Sequence, residues 1–155
     1  MVKYDKNSFA ELKEGSNVIS CLGNASFHQL KLVLDEERGH LSVGNFPSDI
    51  PFIPKRYFLV FDVPSNEYRG QHAHHNCHQF LVCIKGSLNL EVDNGHSKCD
   101  ILLDSPELGA YLPPLTWGVQ HNYSRDSVLL VFASDYYESS DYIRDYEEFL
   151  ELTNN

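Results

Sequence analysis

Residues 69–79 read Arg-Gly-Gln-His-Ala-His-His-Asn-Cys-His-Gln, and the apolar run Phe80-Leu81-Val82-Cys83-Ile84 follows at once. Successive side chains of a strand leave opposite faces, so His72 and His74 project together while Ala73 turns away. Two imidazoles side by side form either a proton-transfer centre or half of a metal site. A neutral imidazole titrates near physiological pH, which suits it to moving a proton beside a carbonyl. Arg69 and Gln79 flank the pair and offer a cationic clamp and a hydrogen-bonding amide. His75 belongs to the opposite face, as a surface or turn residue. His78 shares the pair's face only if the strand runs unbroken past Asn76.

A divalent metal held by His-x-His needs a carboxylate a few residues on and a further imidazole from a later strand. Here the acidic position holds Gln79, a neutral and poorer ligand, and the later strand offers only His121, beyond Pro114 and Trp117. Three histidines would still hold zinc, so the residues alone leave a metal open. No serine or cysteine nucleophile stands beside a general base. No glycine-rich phosphate loop or dinucleotide fingerprint is present.

The elements that must position these residues are short strands. Leu30–Leu34, Leu41–Val43, Tyr57–Phe61, Phe80–Ile84, Ile101–Leu103 and Ala110–Leu112 are rich in β-formers and bounded by Gly, Pro or Asp. Leu88, Leu90 and Val92 alternate with polar residues, and Asp93-Asn94-Gly95 supplies a tight turn. Val128–Ala133 is apolar throughout, as in a strand buried on both faces. Residues 1–26 read as an irregular arm with a short helix around Ser8–Lys13, preceding a domain over 27–155. A final helix is expected from Asp141, with Ser139 or Ser140 as its cap and Tyr142, Ile143, Tyr146, Phe149 and Leu150 on one face. Tyr136, Tyr137, Tyr142 and Tyr146 read as packing residues. About ten strands and one helix imply an antiparallel sandwich or closed barrel, which holds ligands in its mouth.

At 155 residues the chain is expected to be one domain with a real core. Its net charge of −10 argues against nucleic acid and anionic membranes as partners, but not against a small phosphorylated ligand met by local cations such as Arg56 and Arg69. The four cysteines have no Cys-x-x-Cys spacing, and neither a signal core nor a membrane-length apolar window is evident, so a reduced, cytoplasmic protein is expected.

Four segments carry a resemblance: Asp49–Arg56; Arg69-Gly70-x-His72-Ala73-His74-x4-Gln79; Gly86-Ser87; and Leu130–Tyr137 with Asp141-Tyr142-Ile143-Arg144-x-Tyr146. The chain resembles the WxcM-like cupins, the TDP-4-keto-6-deoxyhexose 3,4-ketoisomerases of bacterial surface-sugar biosynthesis, from about Leu30 to Leu150. The resemblance implies an all-β, RmlC-like jelly-roll cupin barrel with a short C-terminal helix. It also implies a homodimer with no metal and no cofactor, acting on dTDP-4-keto-6-deoxyglucose. By the family motif His72 takes the C3 proton and returns one to C4, and His74 assists transfer between the two oxygens. Arg56, Tyr57, Arg69, Gln79 and Trp117 would surround the substrate. The chain departs from the family at Phe58, where a tyrosine is common, and at Gly118, where a histidine commonly follows the tryptophan. Rival readings are a related nucleotide-sugar epimerase, a non-catalytic sugar-nucleotide-binding cupin, and a metal-dependent cupin oxygenase.

Overall fold

The computed structural model describes residues 1–155. The first seven strands are β1 (Val2–Tyr4), β2 (Val18–Leu22), β3 (Ala25–Gln29), β4 (Lys31–Val33), β5 (Leu41–Val43), β6 (Arg56–Phe61) and β7 (Arg69–His74). The remaining seven are β8 (Gln79–Lys85), β9 (Leu88–Asp93), β10 (Lys98–Leu103), β11 (Leu108–Leu112), β12 (Trp117–His121), β13 (Val128–Ala133) and β14 (Tyr142–Ile143), before one helix, α1 (Tyr146–Thr153). They build two facing six-stranded sheets, ordered β1-β10-β9-β12-β7-β14 and β2-β3-β11-β8-β13-β6, with β4-β5 as a separate ribbon. The arrangement is the cupin jelly roll, although hydrogen bonding does not join the two sheets into a closed barrel. No helix is long and apolar enough to cross a membrane.

Alternation along the strands fills the space between the sheets. Leu88, Leu90 and Val92 from the first sheet meet Leu81, Cys83, Leu129 and Val131 from the second, all buried in one apolar cluster. Each such side chain contributes roughly 1.5–3 kcal/mol through burial. Outside the second sheet, Ile50 from the 44–54 loop packs with Leu30, Phe80 and Val82. Outside the first, Ala73, Trp117, Ile143 and Phe149 form a separate buried cluster that seats α1.

Residues 1–26 depart from the expected irregular arm. β1 pairs parallel with β10, β2 pairs antiparallel with β3, and Phe9, in a 3₁₀ turn over Lys6–Glu11, packs on Phe27. A boundary at residue 26 would fall inside β3. The helix also starts later than its apolar spacing predicts. Tyr142 and Ile143 pair with His74 and Ala73 of β7, and helical geometry begins only where Asp145 caps it by accepting from the Glu148 amide at 3.0 Å. Strand pairing and burial of Ile143 thus override the helical period. β13 differs too: Leu129, Val131 and Ala133 are buried, whereas Val128, Leu130 and Phe132 on its other face are only half-buried.

One irregularity shapes the site. β12 pairs Gly118 with His72 but Val119 with Gly70, so Gln71 is an extra residue in β7. Gly70 and Gln71 take positive φ values of 82° and 55°. Strict alternation would send Arg69 and His72, three residues apart, to opposite faces; the bulge brings both to the inner one, where they line a common cavity. A Cβ on Gly70 would stand 2.7 Å from the Gly118 carbonyl oxygen, in backbone geometry that L side chains rarely adopt. Gly70→Ala is therefore expected to cost about 2 kcal/mol and to lower the thermal midpoint by roughly 4–8 °C. An unchanged midpoint in a calorimetric scan would contradict this role for the bulge.

Candidate active site

His72 and His74 stand together on the inner face of β7. Their rings meet edge to face with centroids 5.0 Å apart and an interplanar angle of 86°. Tyr142, delivered by β14, packs against both, at 4.9 Å from His72 and 4.4 Å from His74. His72 Nδ1 lies 2.9 Å from the Gly70 carbonyl oxygen. A carbonyl only accepts, so the ring proton sits on Nδ1 and Nε2 keeps its lone pair. His72 lines a cavity of about 60 Å³ with Arg69, Gly70, Gln79, Gln120, Phe58 and the apolar floor of the second sheet.

His74 is buried, with Nδ1 3.0 Å from Asp141 Oδ2. The Asn76 amide donates to Asp141 Oδ1 at 2.8 Å, and the Cys77 amide to Oδ2 at 3.2 Å. Burial by itself would raise the Asp141 carboxyl pKa, but these two amides and the imidazole outweigh it and hold the group below the usual range. Burial acts the other way on the histidines. It is the largest influence pulling His74 down to about 4; His72 and Arg56 add to it, and Asp141 only partly offsets it. Burial also lowers His72, with Arg144 reinforcing it and the Gly70 carbonyl opposing it. Both rings are therefore neutral near pH 7 and able to accept a proton.

Arg56 opens β6 beside the pair. Its Nε donates to the Asp135 carbonyl at 3.0 Å, a terminal nitrogen lies 3.5 Å from the Tyr142 hydroxyl, and the guanidinium lies over the Phe58 and Tyr137 rings. Gln79 opens β8 on the inner face, buried in the cavity wall. Around one cup the fold thus assembles His72, Arg69 and Gln79, with His74 packed against His72 and Arg56 against Phe58 just beyond its wall.

It does not bring Tyr57 or Trp117 there. Tyr57 alternates with Arg56 and Phe58, so it leaves the outer face of the second sheet and is 66% exposed. Trp117 alternates with Gly118, the inner partner of His72, and is buried outside the first sheet beneath Tyr146 and Phe149. His121 is likewise outside, bonded to Asp100 at 3.1 Å, so no third imidazole joins the pair. His78 bonds the Tyr111 hydroxyl at 2.7 Å and stacks on that ring. A polar groove of about 610 Å³ lies around Tyr68 and His121 outside the first sheet. At the two departures, Phe58 lines the cavity, and Leu112 Cδ1 lies 3.0 Å from where a Cβ of residue 118 would stand.

Asp141, Tyr142 and Gln120 were not legible as site residues. The first two were absorbed into the expected helix, and the signal that marks them is the Asp141–Tyr146 segment of the family resemblance. His74, Cys77 and Asp141 also place three metal-ligating atoms within 4.8 Å of one another. In this arrangement the imidazole Nδ1 and the carboxylate oxygens already satisfy one another and two backbone amides.

The sequence profile of the family "FdtA: WxcM-like, C-terminal" matches residues 23–154. The chain belongs to the WxcM-like family. One relative, the TDP-4-oxo-6-deoxy-alpha-D-glucose-3,4-oxoisomerase of Aneurinibacillus thermoaerophilus, is 43% identical over 119 residues, covering 77% of this chain and 85% of the relative. The 3,4-ketoisomerase QdtA from Thermoanaerobacterium thermosaccharolyticum, solved as a His-to-Asn mutant with TDP-4-keto-6-deoxyglucose, superposes with a TM-score of 0.82 at 33% identity, over 86% of this chain and 96% of that one. The WlaRB TDP-quinovose 3,4-ketoisomerase from Campylobacter jejuni gives a TM-score of 0.79 at 35% identity, over 84% and 99%. These relatives are named as TDP-sugar 3,4-ketoisomerases or oxoisomerases.

The buried pair makes a titration prediction. Followed by NMR, His74 is expected to stay neutral until pH falls to about 4, with His72 titrating below the ordinary 6.5. The unfolded chain protonates its histidines near 6.5, so between there and about 4 it binds more protons than the folded one. Stability therefore rises with pH across that window and is lost as pH falls through it; buried His28, also lowered to about 4, adds to the loss. A His74 midpoint at or above 6.5 would contradict the desolvated site.

Proposed function

We propose that this protein is a TDP-sugar 3,4-ketoisomerase acting on TDP-4-keto-6-deoxyglucose, with His72 as the base. Support comes from the same-face pair of neutral imidazoles, one of which presents a bare Nε2 to the cavity. In the reaction His72 takes the proton from C3, beside the C4 carbonyl, to give an imidazolium and an enediolate with its charge on O4. The oxygen proton passes from O3 to O4 with His74 assisting, and His72 returns a proton to C4. One C–H and one O–H are lost and regained, so the carbonyl moves from C4 to C3 with no external oxidant or reductant. A cup walled by Phe58, Val60, Leu81, Leu129 and Val131 strengthens each charge interaction by excluding water.

Arg56 and Arg69 bring cations toward an otherwise acidic molecule's ligand, a diphosphate-linked sugar. The 3-keto product carries the carbonyl that an aminotransferase would convert to a 3-amino sugar. Four unpaired cysteines fit a reducing cytoplasm.

The working form is a homodimer in this reading. Tyr57, Leu59 and Phe61 of β6 are exposed on the outer face of the second sheet beside Ile84, Leu130 and Phe132, and an apolar groove of about 290 Å³ runs through the last three. An apolar strip of this extent fits an interface with a second copy. Sedimentation equilibrium at micromolar concentration is expected to give the dimer mass for the native chain and the monomer mass for Leu59→Glu/Phe61→Glu. A monomeric native chain would rule the dimer out.

His72→Asn is expected to reduce turnover at least about 1,000-fold while TDP affinity, measured calorimetrically, stays within about threefold, since the base acts in the transition state. Loss of TDP binding with turnover in this variant would instead make His72 a ground-state contact.

A further inference from the structure

We propose that Asp141 is the positioning residue for His74, holding the imidazole in one tautomer so that Nε2 alone exchanges protons with the substrate oxygens. The inference rests on the ketoisomerase reading but concerns a residue outside the His-x-His motif, 67 positions away in sequence.

Three features carry it. The first is the contact: Nδ1 of His74 is 3.0 Å from Asp141 Oδ2, and the two side chains are only 5% and 13% exposed. The second is how the carboxylate is held. Asp141 Oδ1 accepts from the Asn76 amide and Oδ2 from the Cys77 amide, both in the turn that follows β7. An ionised carboxylate offers no proton, so the hydrogen of this contact belongs to the imidazole Nδ1. The third is the far side of the ring: His74 Nε2 is fully buried and has no hydrogen-bond partner in the protein. A buried acceptor left unpartnered is costly, and here it lies beside the His72 and Tyr142 rings. A sugar hydroxyl entering the cup satisfies it.

A residue that shuttles a proton between two oxygens must accept and release through one atom without losing its orientation. With Nδ1–H fixed on Asp141, proton gain at Nε2 gives an imidazolium whose charge the carboxylate stabilises, and proton loss restores the same tautomer. Backbone pairing adds rigidity, because Tyr142 is the direct β-partner of His74 and the carboxylate precedes it by one residue. The same segment therefore sets the ring's position and its protonation pattern.

The test is Asp141→Asn, read by histidine ¹⁵N shifts and by kinetics. Asparagine keeps one acceptor oxygen, which the Asn76 amide claims, and turns its NH₂ toward His74 Nδ1. The ring proton of His74 is then expected to move to Nε2, with kcat falling about 100-fold or more and KM changing less than about threefold. Asp141→Glu retains the charge and is expected to keep the Nδ1-protonated tautomer and at least about a tenth of kcat; it serves as the probe if the asparagine variant does not fold. A purely structural aspartate would lower the melting midpoint without moving the tautomer. An Asp141→Asn protein with His74 still protonated at Nδ1 and native kcat, alongside an inactive His74→Asn, overturns the inference alone. Native turnover in both His72→Asn and His74→Asn overturns the histidine roles, and no carbonyl migration by the native protein overturns the reaction itself.

Discussion

The short pairing of β14 with β7 is the contact on which the site depends. Two residues register there, Tyr142 against His74 and Ile143 against Ala73. On the outer face Ile143 and Ala73 join Trp117 and Phe149 in a sealed apolar cluster, which ties α1 to the sheet. On the inner face the same pairing lays Tyr142 across both imidazoles and sets Asp141 on His74. Alternation along one strand thus divides labour: the outward residues supply the burial energy, and the inward residues receive the geometry. Trp117 belongs to the first group, which explains why it lies away from the cup.

The electrostatics follow from that packing. An imidazole exposed to water would be partly charged near pH 6.5 and strongly hydrated. Packed against Tyr142 and an apolar floor, the pair loses that hydration, and the charged form becomes the costly one. Asp141 pulls against this without winning, so His74 remains neutral yet tolerates a transient proton. Overall charge matters little at this range. The acidic surface is screened beyond about 10 Å in ordinary salt, whereas Arg56 reaches the Tyr142 hydroxyl at 3.5 Å.

Most of the fold was legible because β-strands betray themselves by local chemistry. Leu88–Val92 alternates, Asp93-Asn94-Gly95 turns, and Val128–Ala133 is uniformly apolar. The His pair was legible for the same reason, since a spacing of two fixes a shared face. What escaped depends on partners distant in sequence. β1 and β2 are strands because β10 and β3 accept them, and their own residues carry weak patterns. Asp141-Tyr142-Ile143 has helical spacing with Tyr146 and Phe149, and only pairing with β7 makes it a strand. Arg69 reaches the cavity through a bulge at Gly70-Gln71 that no period announces. Tyr57 was misplaced by analogy, although alternation with Arg56 already sends it outward.

The outer face of the second sheet completes the picture: β13 is apolar on both sides although its own chain covers only one fully. Carbonyl migration is the central claim, and the most direct measurement is ¹³C NMR of TDP-4-keto-6-deoxyglucose incubated with the native protein in D₂O. The account predicts that the carbonyl resonance passes from C4 to C3 and that deuterium appears at C4 to the extent that the transferred proton exchanges with solvent. A carbonyl that stays at C4, with deuterium entering only at C5 or nowhere, would contradict it.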